Sequence, residues 1–269
     1  MTLSYWNQQF QVSRVLPDFQ DYLAQMAARS DAVSGPFRRI AYGDHDRQFV
    51  EIKGTPAPGG ILPVFIHGGY WRALTADMHR FVLPALGRDV GAVANLEYRL
   101  LPEVRLADIV EDALAGLRCV AEATGCRLAV VGHSAGGHLA LTGALRLPET
   151  VVAAVGVSGL YDLTPLQWSF LREEVGLTAA DIDGHSPLAL WQGIDAEHIL
   201  LAVGAEETPE FLRQTHIFAS THGARVCTVP QAHHMTVLDA LADPHSCLSI
   251  EIQSSIQSDA ERRSITEGP

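Results

Sequence analysis

Short apolar, β-branched runs recur along the chain, each ending in glycine or a turn residue. They are Ile61–Ile66, Ala92–Leu96, Arg127–Val131, Val151–Val157, Ile199–Val203 and Arg225–Val229. Near-continuous apolarity predicts strands buried on both faces, the mark of a parallel sheet. Helical patterns separate most of them. Leu106, Ile109, Val110, Ala113, Leu114, Leu117 and Val120 follow a 3.6-residue period. Thr208-Pro209 supplies a cap and a first-turn proline ahead of a helix over Glu210–Thr221. This alternation predicts an α/β fold: a mostly parallel, doubly wound sheet of about eight strands with helices on both faces. Arg38–Tyr42 and Gln48–Lys53, upstream of it, read as an antiparallel hairpin at the sheet edge.

Two stretches break the alternation. Residues 1–35 look helical, with Tyr5, Trp6, Phe10, Phe19 and Tyr22 available to pack, and residues 160–195 form an excursion rich in Leu, Trp and Pro. Each is a candidate lid over a pocket, or alternatively a peripheral packing element. The polar stretch 259–269 is expected to fray. No repeat and no linker divides the chain, so residues 1–269 are expected to form one domain.

Bulk composition narrows the function classes. In 269 residues, 47% are hydrophobic and 19% charged, ordinary values for a soluble globular enzyme. A formal charge of −12 argues against a nucleic-acid partner, which would want a basic face. The N-terminus lacks the basic and apolar regions of a signal peptide, and no apolar run is long enough to span a membrane. Cys119, Cys126, Cys227 and Cys247 contain no CxxC pair and read as reduced thiols. A cytoplasmic protein is therefore expected, with a homodimer as an open expectation.

The chemistry centres on Gly132-His133-Ser134-Ala135-Gly136, a G-x-S-x-G match. Chance supplies such a match in roughly one chain of this length in ten, so the pattern alone is weak. Its setting is not: a strand precedes it and a helix begins directly after it, as a nucleophile elbow and an α/β-hydrolase fold require. The serine sits on a tight turn that small neighbours permit, and the helix N-terminus favours developing negative charge. His67-Gly68-Gly69-Tyr70-Trp71 follows the strand Ile61–Ile66. In this fold that loop should offer backbone N–H groups to an oxyanion, here those of Gly69 and Tyr70, together with Ala135 after the nucleophile.

The remaining partners should follow in the order acid, then histidine, at the carboxyl ends of later strands. Gly204-Ala205-Glu206-Glu207 offers two acids and Gln231-Ala232-His233-His234 two bases. Glu207 is preferred for its distance past the strand-ending glycine, and His234 because a helix is expected to start at Met235. Glu206, Asp162 and His233 are the rivals. The twelve histidines show no H-E-x-x-H or comparable ligand spacing, so neither metal nor cofactor is expected.

Taken together, these motifs resemble the kynurenine formamidase (arylformamidase) family of α/β-hydrolases. HGGYW at 67–71 is similar to the HGGxW motif of that family, and residues 132–138 to its elbow. Ser158–Leu163, Glu207 with Phe211 and Gln214, and His234 before Val237-Leu238 extend the likeness over roughly residues 5 to 245. Glu207 stands where the family usually has aspartate, and Met235 where a phenylalanine commonly follows the histidine. The resemblance implies cleavage of an aromatic small molecule, N-formylkynurenine, to kynurenine and formate without a cofactor. Trp71, Tyr161 and Trp168 are then candidates for an aromatic leaving-group pocket, or for core packing. A carboxylesterase of small acyl esters would use the same machinery, and a hydrolase-fold protein that only binds a ligand is a third reading.

Overall fold

The computed structural model describes residues 2–14, 16, 18–191, 196 and 198–266. Two helices lead, α1 (Leu3–Phe10) and α2 (Phe19–Asp31), followed by the antiparallel pair β1 (Phe37–Ala41) and β2 (Phe49–Gly54). Then come β3 (Ile61–Ile66), the short α3 (Leu83–Leu86), β4 (Ala92–Leu96), α4 (Leu106–Thr124), β5 (Arg127–His133), α5 (Ala135–Arg146) and β6 (Val151–Val157). An excursion holds α6 (Leu171–Val175), α7 (Ala179–His185) and α8 (Pro187–Leu190). The chain closes with β7 (Ile199–Gly204), α9 (Pro209–His222), β8 (Arg225–Val229), α10 (Val237–Ala242) and α11 (Cys247–Thr266).

The eight strands form one sheet in the order β1-β2-β4-β3-β5-β6-β7-β8. β2 pairs antiparallel with β1 and with β4, and every later pairing is parallel. The expected strands and edge hairpin are all present. Each of β3, β4, β6 and β7 is buried along its whole length, because helices cover both faces. Val64, Ile66, Val130 and Leu201 pack with α4, α5 and α9 on one side. Phe65, Val131, Val155 and Ala202 pack with α2, α10 and α11 on the other.

α11 runs through Thr266, and 267–269 lie outside the described residues. Leu248, Ile252 and Ile256 anchor the helix at 0–2% exposure. The Asp-Ala-Glu-Arg-Arg sequence beyond them has the helix propensity to continue it. In the excursion, 192–195 are likewise outside the described residues. Among the described residues, no helix is long and apolar enough to cross a membrane, and all four cysteines are free.

A buried charged network fixes the loop after β3. At the end of β4, Glu97 Oε1 lies 2.6 Å from Arg47 Nη2 and 3.1 Å from His67 Nε2, while Glu97 Oε2 accepts the Ala76 N–H at 2.8 Å. The Tyr98 hydroxyl donates to the His67 carbonyl at 2.9 Å, and the two rings stack with centroids 4.4 Å apart. Burial works against the Glu97 charge, but His67, Arg47 and the Ala76 N–H outweigh it and hold the carboxyl below its ordinary range. A depressed carboxylate stabilises the fold above its unfolded-state value, and that contribution fades as pH falls through the folded one.

Glu97→Ala removes the shared acceptor and strands Arg47 in a part-buried site. It should cost about 3–5 kcal/mol in chemical denaturation at neutral pH. A loss below about 1 kcal/mol would show that the network does not support the fold.

Candidate active site

β5 ends at His133, and Ser134 makes the turn into α5 with φ 55° and ψ −118°. A non-glycine residue rarely adopts this conformation, and surrounding structure must hold it there. The Ser134 N–H donates to the Val157 carbonyl at 2.8 Å, and the His138 N–H to the Ser134 carbonyl at 3.2 Å. Glycines make the turn possible. A Cβ at Gly132 would lie 2.0 Å from the Gly136 oxygen, and one at Gly136 2.0 Å from the Ile66 oxygen.

The structure brings Ser134, His234 and Glu207 together from three separate loops. His234 Nε2 is 3.1 Å from Ser134 Oγ, and His234 Nδ1 is 2.9 Å from Glu207 Oε2. All three side chains are buried. The His234 ring packs against Phe211 at 4.2 Å between centroids. Its carbonyl bonds His133 Nε2 at 2.8 Å. Burial and the neighbouring His234 push the His133 imidazole well below its ordinary range, which suits it as a neutral donor to that carbonyl.

The neighbouring acids and histidines differ in their surroundings. Glu206 is exposed, whereas Glu207 turns inward. His233 accepts the Met235 and Thr236 N–H groups through Nδ1 and serves the turn before α10, which begins at Val237. Asp162 pairs with Arg213 at 2.9 Å and accepts the Thr164 N–H, away from His234.

Ser158 carries the family likeness in the sequence reading but has no role assigned there. Ser158, directly after β6, donates its hydroxyl to Glu207 Oε1, which also accepts the Gly204 N–H at 3.1 Å. Its φ of 51° turns it toward β7, and its own N–H donates to the Ala202 carbonyl at 2.7 Å. The signal was available: a serine followed by glycine at the carboxyl end of a strand beside β5.

After β3, Gly69 and Tyr70 take φ values of 112° and 50°. The Arg72 and Ala73 N–H groups donate to the Gly69 carbonyl, closing a turn that carries Gly69 and Tyr70 beside Ser134 on one cavity wall. Ala135 is the first residue of α5, where a backbone N–H has no intrahelical acceptor. Gly69 and Tyr70 thus share the cavity with Ser134, and Ala135 follows the serine directly in the chain.

The cavity above Ser134 and His234 encloses about 520 Å³. Asn7, Phe10, Gln11, Val12 and Ser13, in and after α1, roof it, with Phe19 and Leu23 of α2, and the excursion adds Phe170 and Glu174. Polar contacts pin this cover. The Tyr70 hydroxyl donates to the Phe10 carbonyl at 2.7 Å, and the Thr208 hydroxyl to the Gln9 carbonyl at 2.8 Å.

None of the three aromatic candidates is among the described residues lining this cavity, and Trp71 and Tyr161 take the core-packing alternative. Trp71 is fully buried in the core, edge-on to His138. Tyr161 is also fully buried, its hydroxyl bonded to the Gly156 carbonyl at 3.0 Å. Trp168 is 46% exposed and packs on Trp6, outside the cavity. The φ of 57° at Trp71 turns its side chain inward from the loop, and a gap between β6 and α9 is filled by Tyr161 against Phe218. The remaining histidines near the site serve backbone carbonyls. His79 bonds Thr75 and His138 bonds His185, and burial lowers their values to about 3 and about 4.

Comparison with known proteins agrees with this architecture. The chain is 24% identical to a kynurenine formamidase from Salmo salar over 89% of its own length and 88% of that protein. It is 27% identical to the esterase LipC of Mycobacterium tuberculosis over 72% of its length and 52% of that protein. A crystal structure from Silicibacter, provisionally assigned as a thioesterase, superposes with a TM-score of 0.83 at 27% identity, covering 92% of this chain and 98% of the other. A family model described as alpha/beta hydrolase fold matches residues 63–225, more than half of the chain. The chain belongs to the alpha/beta hydrolase fold family and is a hydrolase enzyme resembling the kynurenine formamidases.

Proposed function

We propose that the protein is an arylformamidase that hydrolyses N-formylkynurenine to kynurenine and formate by a serine mechanism without a metal ion. The observation that carries the mechanism is the continuous Ser134–His234–Glu207 hydrogen-bond chain at the floor of the cavity. Likeness to a kynurenine formamidase over most of both chains supports the substrate.

The arrangement assigns a task to each group. Glu207 accepts the His234 Nδ1–H, which leaves the Nε2 lone pair to accept the Ser134 hydroxyl proton. Ser134 Oγ attacks the formyl carbon, and the carbonyl oxygen becomes an oxyanion held by the Gly69, Tyr70 and Ala135 N–H groups. Collapse breaks the C–N bond as His234 returns its proton to the departing aniline nitrogen. Water, deprotonated by His234, then attacks the formyl ester, and formate leaves as Ser134 recovers its proton. Glu207 stays ionised throughout and stabilises the imidazolium formed in both halves.

A carboxylesterase reading keeps some support from the LipC likeness, since the same steps cleave an ester. The two readings separate on kcat/KM. The value for N-formylkynurenine should exceed that for p-nitrophenyl acetate; equal or inverted values would overturn the formamidase assignment.

Within the mechanism, Glu207→Ala should lower kcat by about 1,000-fold or more, while Glu206→Ala changes it less than about twofold. The reverse ranking would refute the acid assignment. Ser158→Ala removes one hydrogen bond to the buried carboxylate and should lower kcat about tenfold with little change in KM. An unchanged kcat would mean that Ser158 does not help to orient Glu207.

A further inference from the structure

We propose that the Arg72–Glu174 ion pair at the cavity wall is a recognition site for the α-amino-acid head group of the substrate. Arg72 takes the carboxylate and Glu174 the ammonium. The proposal rests on the formamidase reading and deepens it, because it specifies what the leaving group must carry.

Arg72 Nη2 lies 2.6 Å from Glu174 Oε2, and the side chains are 38% and 41% exposed. Both residues line the cavity that holds Ser134 and His234. Among the described lining residues, Arg72 is the sole Arg or Lys and Glu174 the sole Asp or Glu. The adjacent wall is largely apolar, with Phe10, Val12, Leu74 and Phe170 suited to an aromatic ring. A cavity with an apolar body, a nucleophile at its floor and one opposite-charge pair on its wall matches a zwitterion joined to an aryl group.

The pair has little to do for the fold. So exposed an ion pair adds little to stability, since solvent screens it and two long side chains must be ordered. Neither residue takes part in the buried network under the loop. A zwitterion can replace the contact without change of net charge: guanidinium–glutamate gives way to guanidinium–carboxylate and ammonium–glutamate. The first exchange suits the planar fork of arginine, which holds a carboxylate through two parallel N–H bonds.

The position of Arg72 ties head group to chemistry. Its N–H donates to the Gly69 carbonyl at 3.0 Å, so it belongs to the same turn that presents the Gly69 and Tyr70 N–H groups. Glu174 comes from α6 in the excursion. Seating the head group therefore joins the excursion to the oxyanion loop while the formyl carbon lies over Ser134. Simple acyl esters lack the head group and gain nothing from it.

The test is calorimetric binding of kynurenine and of 2-aminoacetophenone, which keeps the aryl ketone and lacks the amino-acid head. Wild type should bind kynurenine more tightly. Arg72→Met should weaken kynurenine about tenfold or more, and Glu174→Gln several-fold, with 2-aminoacetophenone shifted less than about twofold in each. Unchanged thermal unfolding would show that both variants are folded. Equal wild-type affinities, undetectable kynurenine binding, or an unaltered kynurenine affinity in Arg72→Met would overturn the proposal. Wild-type turnover of N-formylkynurenine, measured separately, reports on the formamidase reading alone.

Discussion

The close approach of backbone to backbone beneath Ser134 is the constraint on which the site depends. The loop after β3 and the first turn of α5 touch through glycines. A Cβ at Gly136 would sit 2.0 Å from the Ile66 oxygen, and one at Gly68 would sit 2.9 Å from the His133 oxygen and 3.0 Å from Ser134 Cβ. The two motifs, distant in sequence, are thus halves of one contact. Adding a side chain to either would push the loop off the elbow, and with it the N–H groups to which the proposed mechanism assigns the oxyanion. This contact also explains why Ser134 can hold a φ of 55°: both flanks are fixed by strand pairing and by α5.

The same packing determines what the sequence could reveal. Strands buried on both faces must be apolar throughout, so β3, β4, β6 and β7 were legible from composition alone. Glycines that admit close backbone contact were legible too, because no other residue fits. Aromatic residues carry no such restriction. Trp71 and Tyr161 fill the core and Trp168 packs outside on Trp6, yet nothing in their spacing distinguishes those places from a pocket wall. The real wall comes largely from α1 and the turn after it, where Phe10 faces both the core and the cavity. A helical period reports which side is buried, not what it is buried against.

Adjacent carboxylates and histidines posed a different difficulty. Glu206 and Glu207 are identical in type and one step apart, so only the course of the chain between β7 and α9 can tell them apart. Pro209 starts the helix and Thr208 bonds the Gln9 carbonyl, which leaves Glu207 turned inward and Glu206 exposed. Ser158 then completes the carboxylate's shell from the neighbouring strand. A buried carboxylate needs such donors, because an acceptor left unsatisfied away from water is costly.

The structure holds two buried imidazole–carboxylate pairs, His67–Glu97 and His234–Glu207, and their differences fit the proposed mechanism, which assigns proton transfer to the second alone. His67 has both nitrogens engaged, Nε2 with Glu97 and Nδ1 with the Gly68 carbonyl at 2.7 Å, and its ring is clamped on Tyr98. No nitrogen is left to receive a proton from a substrate or a serine. His234 commits only Nδ1 to its carboxylate, and Nε2 faces Ser134 at the floor of the cavity. Glu97 is further bound to Arg47, which fixes it as a structural anion, whereas Glu207 is bonded by neutral Ser158 and the Gly204 N–H. Orientation without a competing cation leaves the charge of Glu207 to act on His234 alone. The buried pair at His67 holds the loop in place, and under the proposed mechanism the second pair moves a proton beside donors fixed in this way.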